Sequence, residues 1–110
     1  MKLLLIEDDD SLVDSLFRYL DLVGVPALAV WSLDDARSTL AVDTDITHVL
    51  SDWDLGLRER LTGGQIVQEL RVDWPDLDYS IYSGLKRDVP QGCRFFLKDS
   101  LTEMVQELMK

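Results

Sequence analysis

Short apolar runs alternate along this chain with stretches whose apolar residues recur at helical spacing. Lys2 to Ile6 is the first run, short and without helical periodicity, and it predicts a strand. Leu12, Val13, Leu16, Phe17, Leu20 and Val23 then follow on one helical face, with Asp14, Ser15, Arg18 and Asp21 opposite. Asp9, Asp10 or Ser11 offers this helix an N-cap, and Gly24 ends it at the C′ position. Pro26 to Trp31 predicts a second strand. Ser32-Leu33-Asp34-Asp35 resembles a capping box with Asp at its distal position, and opens a helix through Leu40. Ile46 to Ser51 predicts a third strand. Trp53 to Gly64 predicts a long loop, polar at Arg58, Glu59 and Arg60 and glycine-rich at its end; its arginines read as a solvated tip. Ile66, Val67, Leu70 and Trp74 mark a third helix, stopped by Pro75. Asp78 to Ser83 and Arg94 to Leu97 predict two more strands. Ser100-Leu101-Thr102-Glu103 caps a final helix that buries Leu101, Met104, Val105, Leu108 and Met109.

Strands that alternate with helices argue for an α/β fold, a parallel sheet covered on both faces. One connection breaks the rhythm. Ten residues separate Ser83 from Arg94, among them Gly84, Pro90 and Gly92. A crossover that carries a helix needs about 10–12 residues at the least. An extended crossover or a single turn is expected there.

Composition narrows the class. A chain of 110 residues suits one domain, with 46% apolar and 29% charged residues in the globular range. Its 21 acids against 11 bases give a formal charge of -10, which repels phosphate backbones and argues against direct binding of nucleic acid. Cys93 is the sole cysteine, so no internal disulfide forms, and it reads as a small core or edge residue. No apolar run approaches the ~18 residues of a membrane span, and Met1-Lys2 precedes the first strand without a cleavable leader. A cytoplasmic protein without a membrane partner is expected.

The chemistry lies at the strand ends. The first strand runs into Glu7, Asp8, Asp9 and Asp10, and the third into Asp52, Trp53 and Asp54. Open α/β sheets place ligands at the carboxyl ends of their strands, where Glu7, Asp8 and Asp52 would converge. Converging carboxylates raise one another's pKa unless a cation intervenes, and hard oxygen donors suit Mg²⁺. The fourth strand ends in Ser83-Gly84, a hydroxyl beside a residue with no side chain to block approach. The fifth ends in Lys98, a mobile charge suited to a phosphoryl oxygen. Singly, an acidic run is an N-cap, a Ser-Gly a turn and a lysine a solvated charge. Jointly they describe a site for a metal-bound phosphoryl group.

Leu5-Ile6-Glu7-Asp8-Asp9, Leu50-Ser51-Asp52-Trp53-Asp54-Leu55, Ile81-Tyr82-Ser83-Gly84 and Phe95-Phe96-Leu97-Lys98 resemble the receiver domain of two-component response regulators, in order and over nearly the whole chain. The resemblance implies a single receiver domain over residues 1–110. It also implies a flavodoxin-like three-layer sandwich with a parallel sheet in the order 2-1-3-4-5. By the same resemblance Asp52 is the phosphoacceptor, taking a phosphoryl group from the phosphohistidine of a sensor histidine kinase or phosphotransfer protein. Glu7, Asp8, Asp52 and the backbone carbonyl of Asp54 would hold Mg²⁺ or Mn²⁺. Ser83 and Lys98 would contact the phosphoryl oxygens. Phe95, three residues before Lys98, matches the family's switch aromatic and reads equally as strand core. The implied role is signalling to a downstream protein target, with catalysis limited to self-phosphorylation and autodephosphorylation.

The chain departs from the family at four places. The loop after Asp52 is long and has Gly56 where a proline is customary. The interval before Arg94 leaves the family's fourth helix shortened or absent. Asp99 replaces the proline that helps aim the lysine, and the final helix is short. Because receivers commonly signal and dimerise through the fourth helix, output is expected through another face or by monomeric partner binding. Two other readings stand beside the phosphoacceptor. One is a pseudo-receiver, a phosphorylation-independent interaction module. The other is a phosphohydrolase, since Asp52-Trp53-Asp54 also resembles the DxD motif of haloacid-dehalogenase-like enzymes. That motif normally lies on a first strand, and this chain has no room for a cap.

Overall fold

The computed structural model describes residues 1–56 and 59–110. Five strands, β1 (Leu3–Ile6), β2 (Ala27–Val30), β3 (His48–Asp52), β4 (Asp78–Ser83) and β5 (Arg94–Leu97), form one parallel sheet in the order β2-β1-β3-β4-β5. Among the described residues four helices surround it: α1 (Asp10–Leu22), α2 (Leu33–Val42), α3 (Gly63–Asp73) and α4 (Leu101–Leu108).

Residue alternation along the strands assigns the two faces. Leu3, Leu5, Leu50 and Tyr82 point to one side, where Leu16 and Leu20 of α1 and Met104, Val105 and Leu108 of α4 cover them. Leu4, Ile6, Val49 and Ile81 point to the other, beneath Ala36 and Leu40 of α2 and Ile66, Val67 and Leu70 of α3. The result is the three-layer flavodoxin-like architecture. α1 and α2 lie on opposite faces, so the chain winds in different directions from β1 and β3. Their carboxyl ends form the crevice where such sheets bind ligands.

The helix ends follow local chemistry. Asp9 caps α1, accepting from Ser11 N at 3.0 Å and Leu12 N at 3.2 Å. α1 closes with paired bonds from Gly24 N to Asp21 O and from Val25 N to Leu20 O, with Gly24 at φ 76°. Ser32 and Ser100 cap α2 and α4.

The loop between β3 and α3 ends earlier than expected, because α3 begins at Gly63. Thr62 and Gln65 form a reciprocal capping box, so the glycine pair belongs to the first helical turn. Glu59 anchors the loop by accepting from Leu33 N at 2.8 Å and Leu61 N at 3.2 Å, which satisfies an otherwise unpaired donor at the start of α2. Arg60 is exposed, as a solvated tip requires, and Arg58 lies outside the described residues. Residues 84–93 contain no helix; they bend at Gly84 and Leu85 and make a tight turn closed by Cys93 N on Pro90 O. Cys93 is half-buried, and burial pushes its thiol up to about 11, which fits a packing role. Among the described residues no helix is long and apolar enough to cross a membrane.

Candidate functional site

Register brings the site together. Ile6 pairs with Ser51, so Glu7 and Asp52 follow at neighbouring strand ends, and Asp52 pairs in turn with Tyr82. Glu7, Asp52, Tyr82 and Lys98 therefore project from the sheet face that α1 and α4 cover. Glu7 and Asp52 are buried, at 0% and 4% exposure. One carboxylate oxygen from each of Glu7, Asp8 and Asp52 lies within 4.8 Å of the others. The neighbouring Asp9 and Asp10 are spent on α1, as its cap and in its first turn.

Burial pushes the carboxyls of Glu7 and Asp8 above their ordinary range. For Glu7 the charge of Asp52 pushes the same way, and a hydrogen bond from Tyr82 pushes back. The partners of Glu7 explain how a fully buried carboxylate is tolerated. Oε2 accepts from Asp8 N at 2.9 Å and Asp9 N at 3.3 Å, while Oε1 accepts from Tyr82 Oη at 2.5 Å and faces Lys98 Nζ at 3.7 Å. Burial and the adjoining acids push the Tyr82 hydroxyl far above its ordinary value, so it remains a donor.

Lys98 is aimed at Asp52 although Asp99 follows it. Its Nζ stands 3.0 Å from Asp52 Oδ2. Two contacts replace the guidance expected from a proline. The Lys98 N–H donates to Ser83 O at 2.9 Å, which extends the β4–β5 pairing, and Nζ sits 4.8 Å from the centre of the Tyr82 ring. Asp54 N donates to Asp52 Oδ1 at 3.3 Å.

The remaining site residues lie to the side. Ser83 is buried, and its Oγ accepts from Leu85 N at 3.2 Å and Arg87 Nε at 3.4 Å, both from the crossover. The Asp54 side chain is exposed and meets Arg87. Phe95 is partly buried on the opposite sheet face from Lys98, against the cluster under α2 and α3. Sequence reasoning missed Tyr82 and Arg87. A tyrosine in an apolar strand reads as core, and an arginine in a short connection reads as solvated.

The donor set fits a hard divalent cation, since all three close ligands are carboxylate oxygens, with no sulfur or imidazole among them. The raised carboxyls also make a prediction for metal-free protein. A carboxyl that holds its proton more tightly when folded favours the folded state at low pH. Its contribution is lost as pH rises through the raised folded value. Chelator-treated protein therefore gains stability as pH falls from neutrality toward the ordinary Glu and Asp values of 4.5 and 3.8. His48, lowered by burial from 6.5, opposes this trend, so the comparison is with Glu7→Gln. Thermal midpoints should rise toward acid by more in the parent than in Glu7→Gln. Parallel profiles would contradict the assignment to Glu7.

Several solved structures of similar shape are response regulator receiver domains. The chain matches a CheY-like response regulator receiver domain from Methylobacillus flagellatus with a TM-score of 0.81 and 21% identity, covering 99% of this chain and 95% of that one. A response regulator receiver protein from Pseudomonas putida gives 0.82 and 18%, covering 98% and 94%. The receiver domain of the hybrid histidine kinase CckA gives 0.79 and 18%, covering 99% and 95%. No family model and no curated protein matches the sequence. The five-stranded parallel sheet and its helices have the fold of the response regulator receiver domains. Within it, Glu7, Asp8 and Asp52 form an acidic cluster at the strand ends.

Proposed function

We propose that this chain is a phosphoaccepting receiver of a two-component phosphorelay, with Asp52 as the acceptor. The observation that carries the reading is the Lys98–Asp52 pair at 3.0 Å, beside the three carboxylates gathered at the strand ends. In the reaction an Asp52 carboxylate oxygen bonds to phosphorus as the phosphorus–nitrogen bond of a partner's phosphohistidine breaks. The bonding pair returns to the imidazole nitrogen. Receivers need little covalent machinery, because positioning and charge neutralisation carry phosphoryl transfer.

Glu7, Asp8, Asp52 and the Asp54 carbonyl would hold Mg²⁺ or Mn²⁺, whose charge offsets that of the carboxylates and the phosphoryl oxygens. Lys98 neutralises one oxygen of the transferred group, and the Ser83 hydroxyl donates to another. Phe95 acts as the switch aromatic, coupling Ser83 to the surface. The partners are a sensor histidine kinase or phosphotransfer protein and a downstream protein target, in the cytoplasm.

The pseudo-receiver reading draws on the helix-free crossover at residues 84–93. One experiment separates the two. Protein incubated with Mg²⁺ and acetyl phosphate should gain a single phosphoryl group by intact mass, and lose it slowly on standing. Folded protein that gains none would favour the interaction module. Placement of Asp52 on β3, third in the chain, weighs against the DxD phosphohydrolase.

A further inference from the structure

Arg87 reaches back from the crossover to the residues at the ends of β3 and β4. Its Nε donates to Ser83 Oγ, and its Nη2 lies 3.5 Å from Asp54 Oδ2. The guanidinium carbon stands 5.7 Å from the centre of the Trp53 ring. Trp53 and Asp54 directly follow Asp52, and Ser83 ends the adjoining strand. The guanidinium thus spans the gap between the tips of β3 and β4.

Three arguments make this more than a surface contact. Ser83 Oγ accepts two hydrogen bonds, from Leu85 N and Arg87 Nε, so its lone pairs are engaged and its hydrogen is left to donate. Arg87 therefore helps set the hydroxyl as a donor. Next, the Asp54 carboxylate is 72% exposed and at the limit of bonding distance, a partner that is cheaply given up. The last argument is charge. Three carboxylates balance Lys98 plus a divalent cation. An aspartyl phosphate dianion in place of the Asp52 carboxylate leaves one negative charge uncompensated, beside a loosely held guanidinium whose planar fork matches phosphoryl oxygens.

We propose that Arg87 is a second phosphoryl-binding cation. When Asp52 is phosphorylated, Nη2 exchanges the Asp54 carboxylate for a phosphoryl oxygen, and Nε keeps the Ser83 hydroxyl pointed at the same group. The proposal rests on the phosphoacceptor reading. It also gives a chain without the family's fourth helix a direct link from the phosphoryl group to residues 84–93.

The test is titration of Mg²⁺-loaded protein with beryllofluoride, beside a separate Mg²⁺ titration. Arg87→Ala should bind beryllofluoride about ten-fold more weakly, the scale of one lost charge-assisted contact, with Mg²⁺ affinity unchanged. Arg87→Lys, which keeps the charge and loses the fork, should recover part of the affinity. Asp54→Ala, which removes the resting partner and keeps the backbone carbonyl, should bind beryllofluoride more tightly than the parent. Unchanged beryllofluoride affinity in Arg87→Ala would overturn the proposal. So would equal losses of beryllofluoride and Mg²⁺ affinity, the mark of a merely structural role. Failure of the parent protein itself to bind beryllofluoride would overturn the phosphoacceptor reading together with this one, and is recognised without any variant.

Discussion

Asp52→Asn protein, incubated with Mg²⁺ and acetyl phosphate, is expected to keep its unmodified mass while the parent gains one phosphoryl group. The amide is nearly the same size, so the buried site stays filled, but its oxygen is a far weaker nucleophile than a carboxylate oxygen. The amide also carries no charge to hold Lys98, which the structure places 3.0 Å from Asp52 Oδ2. About a thousand-fold loss or more is the usual scale when a nucleophile is removed. The fold should survive, because relief of the repulsion between Asp52 and the buried Glu7 offsets the lost ion pair. Circular dichroism and a thermal midpoint close to the parent's would establish that. A phosphoryl group on Asp52→Asn, located elsewhere by fragmentation, would remove Asp52 from its role. Asp54 is the control, being an exposed carboxylate two residues away that lacks the lysine.

Much of this site was legible because it depends on which residues end the strands. Glu7, Asp8, Asp52 and Lys98 each follow a short apolar run, and the parallel topology then brings the ends to one edge of the sheet. What sequence could not convey is how the buried charges are made tolerable. Tyr82 lies 75 positions from Glu7 in the chain, and only the β3–β4 register carries its hydroxyl across to Oε1. The same ring steers Lys98, which is why the loss of the proline at position 99 did not misdirect it. Arg87 was hidden for a related reason. Its contacts come from a crossover without a helix, and the sequence indicated the missing helix without indicating where the freed segment lies.

The start of α3 shows the opposite case, a local signal that was present and overridden. Thr62 and Gln65 have capping-box spacing, but Gly63-Gly64 between them reads as a loop. The structure explains why glycine stands in a position where it weakens a helix. Gly63 N donates to Trp53 O at 2.9 Å, so the first turn of α3 lies directly on the chain as it leaves Asp52.

Gly63→Ala is accordingly expected to be the most damaging small substitution at this junction. A Cβ there would collide with the carbonyl oxygen of Asp52, and would also stand 3.0 Å from the Asp52 carbonyl carbon and 3.1 Å from Trp53 Cα. All three atoms are backbone, at the end of a buried strand, so none can rotate away. That carbonyl also accepts from Ser51 Oγ at 2.9 Å, a bond that any retreat would disturb. Alanine improves helix propensity by about 1 kcal/mol, but forced overpacking against rigid atoms costs about 1–3 kcal/mol or more, and the clash should win. A net loss of about 2 kcal/mol is expected in urea unfolding, with weakened Mg²⁺ binding because the backbone behind Asp52 must shift. Two glycines calibrate the result. Gly64→Ala meets the Trp53 ring at 2.9 Å, a side chain that can swing, and should cost less. Gly84→Ala has nothing within 4 Å and should be close to neutral. If Gly63→Ala proved as stable as Gly84→Ala, α3 would not be seated on the strand that carries Asp52, and the carboxylate would be held by Lys98 and Asp54 N alone.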